Sequence, residues 1–252
     1  MKKNYVSINE QTINRWVKEG WQWGIPIDHQ TFENAKNGTW DVVLTPTVNV
    51  PKDWFLPFKN LKILGLASGG GQQMPIFSAL GASCTVMDIS DEQLNSEKVV
   101  SERENYHIDI IKADMTKTFP FEDESFDLIF HPVSNVYVKD VFHVFKECAR
   151  VLKKGGLLLS GLDNGINFIV DEETETKIIH KLPFDPTINE DQYEFLMKTD
   201  SGMQFSHTLE DQIGGQLKAG FEILDIYEDT NGEGLLHELN IPSYFATKSR
   251  KK

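Results

Sequence analysis

From Leu61 onward the chain alternates short apolar runs with segments of helical period, and no other feature restricts the fold as much. Strands followed by helices, rather than by two-residue turns, pair in parallel and bury both faces of their sheet. Residues 61–66 read as a first strand, followed by a glycine-rich turn and a helix to Leu80 that Gly81 closes. Further strands fall at 83–88, 108–112, 126–130 and 157–160. Helices run from Ser90 to about Asn105 and from about Lys139 to Leu152. Residues 161–206 have weaker periodicity and read as an insertion that covers a substrate. A helix at 208–219, a strand at 221–227 and a last strand at 244–247 complete the expected doubly wound, mostly parallel α/β sheet with helices on both faces.

Residues 1–60 have a different character and are expected to form a helical extension or lid on the 61–252 domain. Ser7-Ile8-Asn9-Glu10 has the spacing of a capping box, with Ile13, Trp16 and Val17 continuing an apolar face behind it. A second short helix is expected from about Thr31 to Lys36. All five tryptophans (Trp16, Trp21, Trp23, Trp40 and Trp54) lie in this extension. Large rings can anchor a thin helical layer on the main domain, or close over a substrate, and both readings stand for the five rings.

Composition narrows the partners. With 38 acidic against 25 basic residues the formal net charge is −13, which disfavours a nucleic-acid partner. The one basic cluster, 248–252, reads as a solvated end. No apolar run approaches the roughly 18 residues that span a bilayer. The start, Met1-Lys2-Lys3-Asn4-Tyr5, has the charge of a secretory leader without an apolar stretch behind it, so a cytoplasmic location is expected. Cys84 and Cys148 sit in apolar contexts and read as small buried hydrophobes, with neither a disulfide nor a metal site expected of them.

The chemistry-bearing positions fall at strand ends. Leu64-Gly65-Leu66-Ala67-Ser68-Gly69-Gly70-Gly71-Gln72-Gln73 joins the first strand to its helix, where glycines permit positive φ and close approach of a ligand. Asp88 ends the second strand, 19 residues beyond Gly69, the spacing at which an acid accepts both hydroxyls of a ribose. Nicotinamide and methyl-donor cofactors both carry such a ribose, so Asp88 does not separate them. Lys112-Ala113-Asp114-Met115-Thr116 ends the third strand, where an Asp can accept from an adenine amino group while Met115 covers the ring. Phe119-Pro120-Phe121-Glu122-Asp123-Glu124-Ser125-Phe126-Asp127-Leu128-Ile129 leads into the fourth strand.

In this order, together with Ala149-Arg150-Val151-Leu152-Lys153-Lys154-Gly155-Gly156, these segments resemble the class I S-adenosylmethionine-dependent methyltransferases, in particular the small-molecule branch with a methyltransferase-domain core. The resemblance is close from about Leu61 to Leu159 and loose beyond. It implies a seven-stranded Rossmann-like sheet with an antiparallel last strand. It also implies S-adenosyl-L-methionine as cofactor, leaving as S-adenosyl-L-homocysteine. The methionine end would lie at Ala67, Ser68, Gly69, Gly70 and Gly71, the ribose at Asp88 beside Ile89, and the adenine at Asp114 and Met115. His131, Pro132, Val133, Ser134 and Asn135 would pass beside the sulfonium and face a small-molecule acceptor. The chain departs from the family at Gly65, where an acid is usual, and at Ala67, where a glycine is. Gln72 and Gln73 are the candidates to supply polar contacts in their place.

Methyl transfer from a sulfonium is an in-line displacement whose leaving group needs no proton, so alignment and water exclusion carry most of the catalysis. Where a base is needed, His131, Tyr137 and His207 are the candidates by position, and His237, in a loop before the last strand, is a further one. Trp21, Trp23, Ser134, Asn135 and His207 are the expected acceptor contacts. Other readings are a cofactor-binding sensor or scaffold without catalysis, encouraged by Gly65, and a nicotinamide-dependent oxidoreductase. The latter would use Gly65-Leu66-Ala67-Ser68-Gly69-Gly70 but lacks a Tyr-x-x-x-Lys pair. A nucleic-acid methyltransferase would want a basic cleft, and the chain has His131-Pro132-Val133-Ser134 where one kind carries Asn-Pro-Pro-Tyr.

Overall fold

The computed structural model describes residues 4–252; Met1, Lys2 and Lys3, which carry the leader-like charge, lie outside them. The chain opens with α1 (Tyr5–Lys18) and α2 (His29–Lys36). It continues through β1 (Lys62–Leu66), α3 (Gln73–Ala79), β2 (Ser83–Asp88), α4 (Asp91–Glu104), β3 (Ile108–Lys112) and β4 (Phe126–His131). Then come α5 (Val141–Val151), β5 (Leu152–Asp163), α6 (Glu190–Lys198), α7 (Gly215–Lys218), β6 (Phe221–Asp229), α8 (Gly234–Glu238) and β7 (Tyr244–Lys251). The seven strands form one sheet in the order β3-β2-β1-β4-β5-β7-β6. Strands β1 to β5 are parallel, and β7 runs antiparallel to both of its neighbours. No described helix is long and apolar enough to cross a membrane.

Strand alternation divides the core in two. Ile63, Val86, Leu128, Phe130 and Leu159 point to one face, where Met74 and Phe77 of α3, Ala35 of α2 and Trp54 cover them. Leu64, Leu66, Met87, Ile129 and Leu158 point to the other, under Val141, Val144, Phe145, Cys148 and Val151 of α5. Those α5 positions recur at the helical period, which is why this helix was legible in the sequence. Cys84 and Cys148 are buried and free, one in each layer.

Several boundaries differ from expectation. Asn4, not Ser7, caps α1: its side chain accepts from the Ser7 N–H, which puts Ser7 in the first turn. Asp28 caps α2 and starts it at His29, two residues early. Within 161–206, α6 begins at a capping Asn189, and α8 precedes the last strand. The helix expected at 208–219 opens with a π-helical turn, Glu210–Gly214. The basic residues expected as a solvated end instead belong to β7. There Lys251 Nζ donates to the Leu152 carbonyl at 2.6 Å, and Arg250 pairs with Glu222 at 2.7 Å. The buried Thr247 and Ser249 hydroxyls both donate to Gln216 Oε1, so a polar strand face lies inside the protein with its groups satisfied.

The extension is woven into the sheet. Residues 42–50 make a strap across the strand ends: Val50 N–H donates to Val42 O, and Val133 N–H donates to Leu44 O at 3.1 Å. Asp229 at the end of β6 clamps the strap by accepting from Thr47 and Val48 amides at 2.8 and 3.1 Å. Trp54 Nε1 donates to Asp225 at 2.9 Å, and Trp40 stacks under Lys52 and beside Phe55 and Phe58. These two rings anchor; they do not close over a cavity.

Candidate functional site

In a doubly wound sheet, ligands bind beyond the carboxyl ends of the strands, where the strand order reverses. That point lies between β1 and β4, and a cavity of about 510 Å³ opens there. Its floor is the β1–α3 turn and the tips of β2 and β3. Its roof comes from α1, the strap and the 164–206 segment, through Asn9, Ile13, Leu44, Thr45, Phe168 and Phe195. Asn9 joins two parts of that roof, since its side chain accepts from Met203 N–H and donates to Met203 O. Arg15 pairs with Asp200, which also accepts from Trp16 Nε1.

Most of the expected site residues meet at this cavity. Ala67, Ser68, Gly69, Gln72, Gln73, Asp88, Ile89, Asp114 and Met115 line its floor. Val133, Ser134, Tyr137, Trp21 and Trp23 line its sides. Asp88 is buried, with Oδ2 accepting from Gly69 N–H at 3.2 Å and Oδ1 from Ser90 N–H at 2.9 Å. Burial pushes its carboxyl pKa up, while the amides of Ser90 and Gly69 hold it down. A carboxylate with two lone-pair sites filled still has capacity for two hydroxyl donors. Beside it on the wall, Gln93 has a buried side-chain oxygen with no partner.

The glycine turn has another role than the one expected. Gly70 and Gly71 are not on the cavity wall. Gly70 N–H donates to Gln93 O, and Gly71 N–H donates to Glu97 Oε1, both at 2.9 Å. A Cβ on Gly70 would overlap the Trp23 carbonyl oxygen, and one on Gly71 would come within 2.8 Å of the Ser96 carbonyl. The close approach these glycines permit is to α4 and to the extension, not to a ligand. Gln72 is likewise a tether, donating to Gln22 O at 2.8 Å and Ile25 O at 3.0 Å.

The two departures at the first strand have physical counterparts. A side chain at Gly65 would meet Met74 Sδ at 2.8 Å, so the buried Met74 occupies the space an acid would need. Ala67 sits at φ +45°, where an L-residue costs about 1–2 kcal/mol relative to glycine. Its N–H donates to Met87 O at 2.8 Å, which holds it there. The nearby Gln73 is buried and accepts from Ser68 Oγ at 3.1 Å.

Glu97 was hidden in a helix that reads as polar. It is fully buried beneath the glycine turn, with Oε2 unpartnered, and burial, aided by Asp88, pushes its pKa up to about 8. The unfolded chain releases this proton near 4.5, the folded protein near 8. The folded state therefore holds the proton more tightly across that window. Stability from this group is full below about 4.5, declines as pH rises, and levels off above about 8. Glu97→Gln is expected to match the parent protein below pH 4.5 and to exceed it by a few kcal/mol (order of magnitude) above pH 8. Denaturant melts across this range check it; equal pH dependence in both proteins would contradict it.

His131, Asn135 and His207 do not line this cavity; each is held by hydrogen bonds behind it. His131 Nδ1–H donates to Leu66 O at 2.9 Å, tying the β4 tip to β1. Its Nε2 lies 2.9 Å from the Asn135 side-chain amide, whose otherwise unpartnered NH2 serves as donor once turned toward the ring. Burial pushes the imidazole pKa down, so it stays neutral and both nitrogens are used. His207 Nε2 donates to Asn135 O at 3.1 Å. His237 bonds Thr230 Oγ1 through Nδ1. Of the proposed bases only Tyr137 faces the cavity, and burial pushes its phenol up to about 12, away from a base's range.

Sequence reasoning missed the far half of the cavity. Asp163 ends β5, three residues past the expected strand end, and Tyr244 starts β7 directly opposite it. Asn167, Glu172, Glu175 and Gln204 come from the weakly periodic segment. An acid at the end of a strand, as in Gly161-Leu162-Asp163, was the available signal; Asp88 ends β2 in the same way, and Asp114 follows the end of β3 by two residues.

A family model described as methyltransferase domain matches residues 64–160. An uncharacterized methyltransferase of Bacillus subtilis, YbaJ, is 43% identical over 252 residues, covering 98% of either chain. A ubiquinone biosynthesis O-methyltransferase of Pelagibacter ubique is 26% identical over 159 residues, 60% of this chain and 64% of that one. Among solved structures, an S-adenosylmethionine-dependent methyltransferase from Mesorhizobium loti superposes with a TM-score of 0.65 at 18% identity, covering 79% of this chain and 95% of that one.

Proposed function

The chain belongs to the methyltransferase family, and from that premise we propose that its cavity binds S-adenosylmethionine over the tips of β1, β2 and β3 and a small-molecule acceptor beneath the strap and the 164–206 segment. The observation that carries this reading is Asp88, a buried carboxylate on the cavity floor facing the β1–α3 turn with acceptor capacity to spare. Ala67, Ser68, Gly69 and Gln73 would hold the methionine end, Asp88 and Ile89 the ribose, and Asp114 and Met115 the adenine. When bound, the cofactor supplies a methyl group on a sulfonium and leaves as neutral S-adenosylhomocysteine.

The protein's own contribution is alignment and exclusion of water. The roof covers the cavity floor, and Val133, Ser134 and Tyr137 from the segment after β4 line its side. His131 spends its ring nitrogens on Leu66 O and the Asn135 side chain, so the acceptor's proton would leave through another group. Trp21 and Trp23 line the side of the cavity by the glycine turn and Gln93, whereas Trp40 and Trp54 are anchors. The buried free cysteines suit a reducing, cytoplasmic setting.

Thermal-shift titration tests the cofactor. S-adenosylmethionine and S-adenosylhomocysteine are expected to raise the melting temperature, with about 2.7 kcal/mol of added stability at 100 times Kd. NADH is expected to do nothing. Stabilisation by NADH alone, or by none of the three, would overturn the reading.

A further inference from the structure

The acceptor half of the cavity has a one-sided electrostatic character. Asp163, Glu172 and Glu175 line it, and no lysine, arginine or histidine lines any part of the cavity among the described residues. Asp163 is buried, with Oδ1 accepting from Gly165 N–H at 2.5 Å and Oδ2 from Asn167 Nδ2 at 2.8 Å. It forms no ion pair with a described residue. A buried carboxylate without a cation is costly to fold around, and burial pushes its pKa up to about 6. Across the β5–β7 pair, the Tyr244 hydroxyl is pushed up as well, first by burial and then by the negative charge of Asp163. The rings of Tyr137, Tyr244 and Phe168 complete the wall.

This surrounding rejects anions. A carboxylate, phosphate or phenolate acceptor would enter a half-cavity with three acids and no counter-charge. A cation meets the opposite: a desolvated carboxylate to pair with and aromatic faces to lie against. We propose that the acceptor is an amine, held as its ammonium by the Asp163 carboxylate between the Tyr137 and Tyr244 rings. The proposal rests on the cofactor lying in the other half of the cavity.

Asp163 then has a second task. The bound ammonium gives one N–H proton to the Asp163 carboxylate, whose raised pKa narrows the gap between donor and acceptor. The freed nitrogen lone pair forms the new N–C bond to the methyl carbon as the C–S bond breaks and its electron pair stays on sulfur. The methylated ammonium departs with its charge, and the proton on Asp163 passes to water.

The test is calorimetric and does not depend on turnover. S-adenosylhomocysteine is titrated first; failure to bind overturns the cofactor reading and is seen separately. The loaded protein is then titrated with benzylamine and phenethylamine, and with the alcohol and carboxylic acid of matching shape. The amines are expected to bind at least about tenfold tighter than the alcohols, and the acids not at all. Asp163→Asn is expected to weaken the amines at least about tenfold while leaving S-adenosylhomocysteine affinity unchanged. Glu172→Lys, at an exposed position that tolerates exchange, is expected to weaken them about threefold through charge alone. Amines that fail to bind, acids or alcohols that bind as tightly, or amine affinity untouched by Asp163→Asn would overturn the proposal.

Discussion

Replacing Asp88 by alanine is expected to abolish measurable S-adenosylhomocysteine binding in a protein that still folds. Two ribose hydroxyls donating to one carboxylate are each worth about 1.5–3 kcal/mol, so their joint loss weakens binding at least about 100-fold. The fold survives because the charge is itself a burden in its buried place. Removing it relieves desolvation while leaving the Gly69 and Ser90 amides without their acceptor, each at a cost of about 1 kcal/mol. Asp88→Asn keeps one oxygen and should lose about tenfold. Calorimetry on both variants checks this, with circular dichroism confirming the fold. Undiminished affinity in Asp88→Ala would move the ribose elsewhere.

Gly161→Ala is expected to damage the protein out of proportion to one methyl group. Gly161 lies in β5 between β4 and β7, and a Cβ there would overlap the Leu44 carbonyl oxygen and sit 3.0 Å from Val133 N. Both neighbours are backbone, so neither can swing aside. The strap must lift, straining the buried Val42, Leu44 and Val50 and breaking the Val133–Leu44 hydrogen bond. Overpacking and one lost hydrogen bond together amount to about 3 kcal/mol, a fall of roughly 6–12 °C in melting temperature for a chain of this size. The strap roofs the acceptor half, so kcat should fall more than cofactor affinity does. A melting temperature within a degree of the parent would contradict the packing described.

The parallel core was legible because its information is local. Each strand is an apolar run ended by a turn residue, and α5 carries its buried face at the helical period. The acids Asp88 and Asp114 were legible for the same reason, as polar residues at strand ends. The glycine turn misled, because a glycine records that something presses close without recording what. Here it is Trp23, Gln93 and Ser96, polar or backbone groups from segments far away in sequence. The burial of Glu97 and Ser96 was not legible, since burial of polar groups by hydrogen bonds to a loop leaves no periodic trace. His131 is a polar residue at a strand end, but it spends one nitrogen on the neighbouring strand and the other on Asn135 in the turn that follows. Asp163 and Tyr244 escaped because strand pairing, not spacing, brings them together.

A crystal structure of the protein with S-adenosylhomocysteine tests the central claim most directly. The ribose hydroxyls are expected on the Asp88 carboxylate, the adenine against Asp114 and Met115, and the sulfur toward Tyr137 and Asp163. Ligand density outside this cavity, or a ribose that does not touch Asp88, would contradict it.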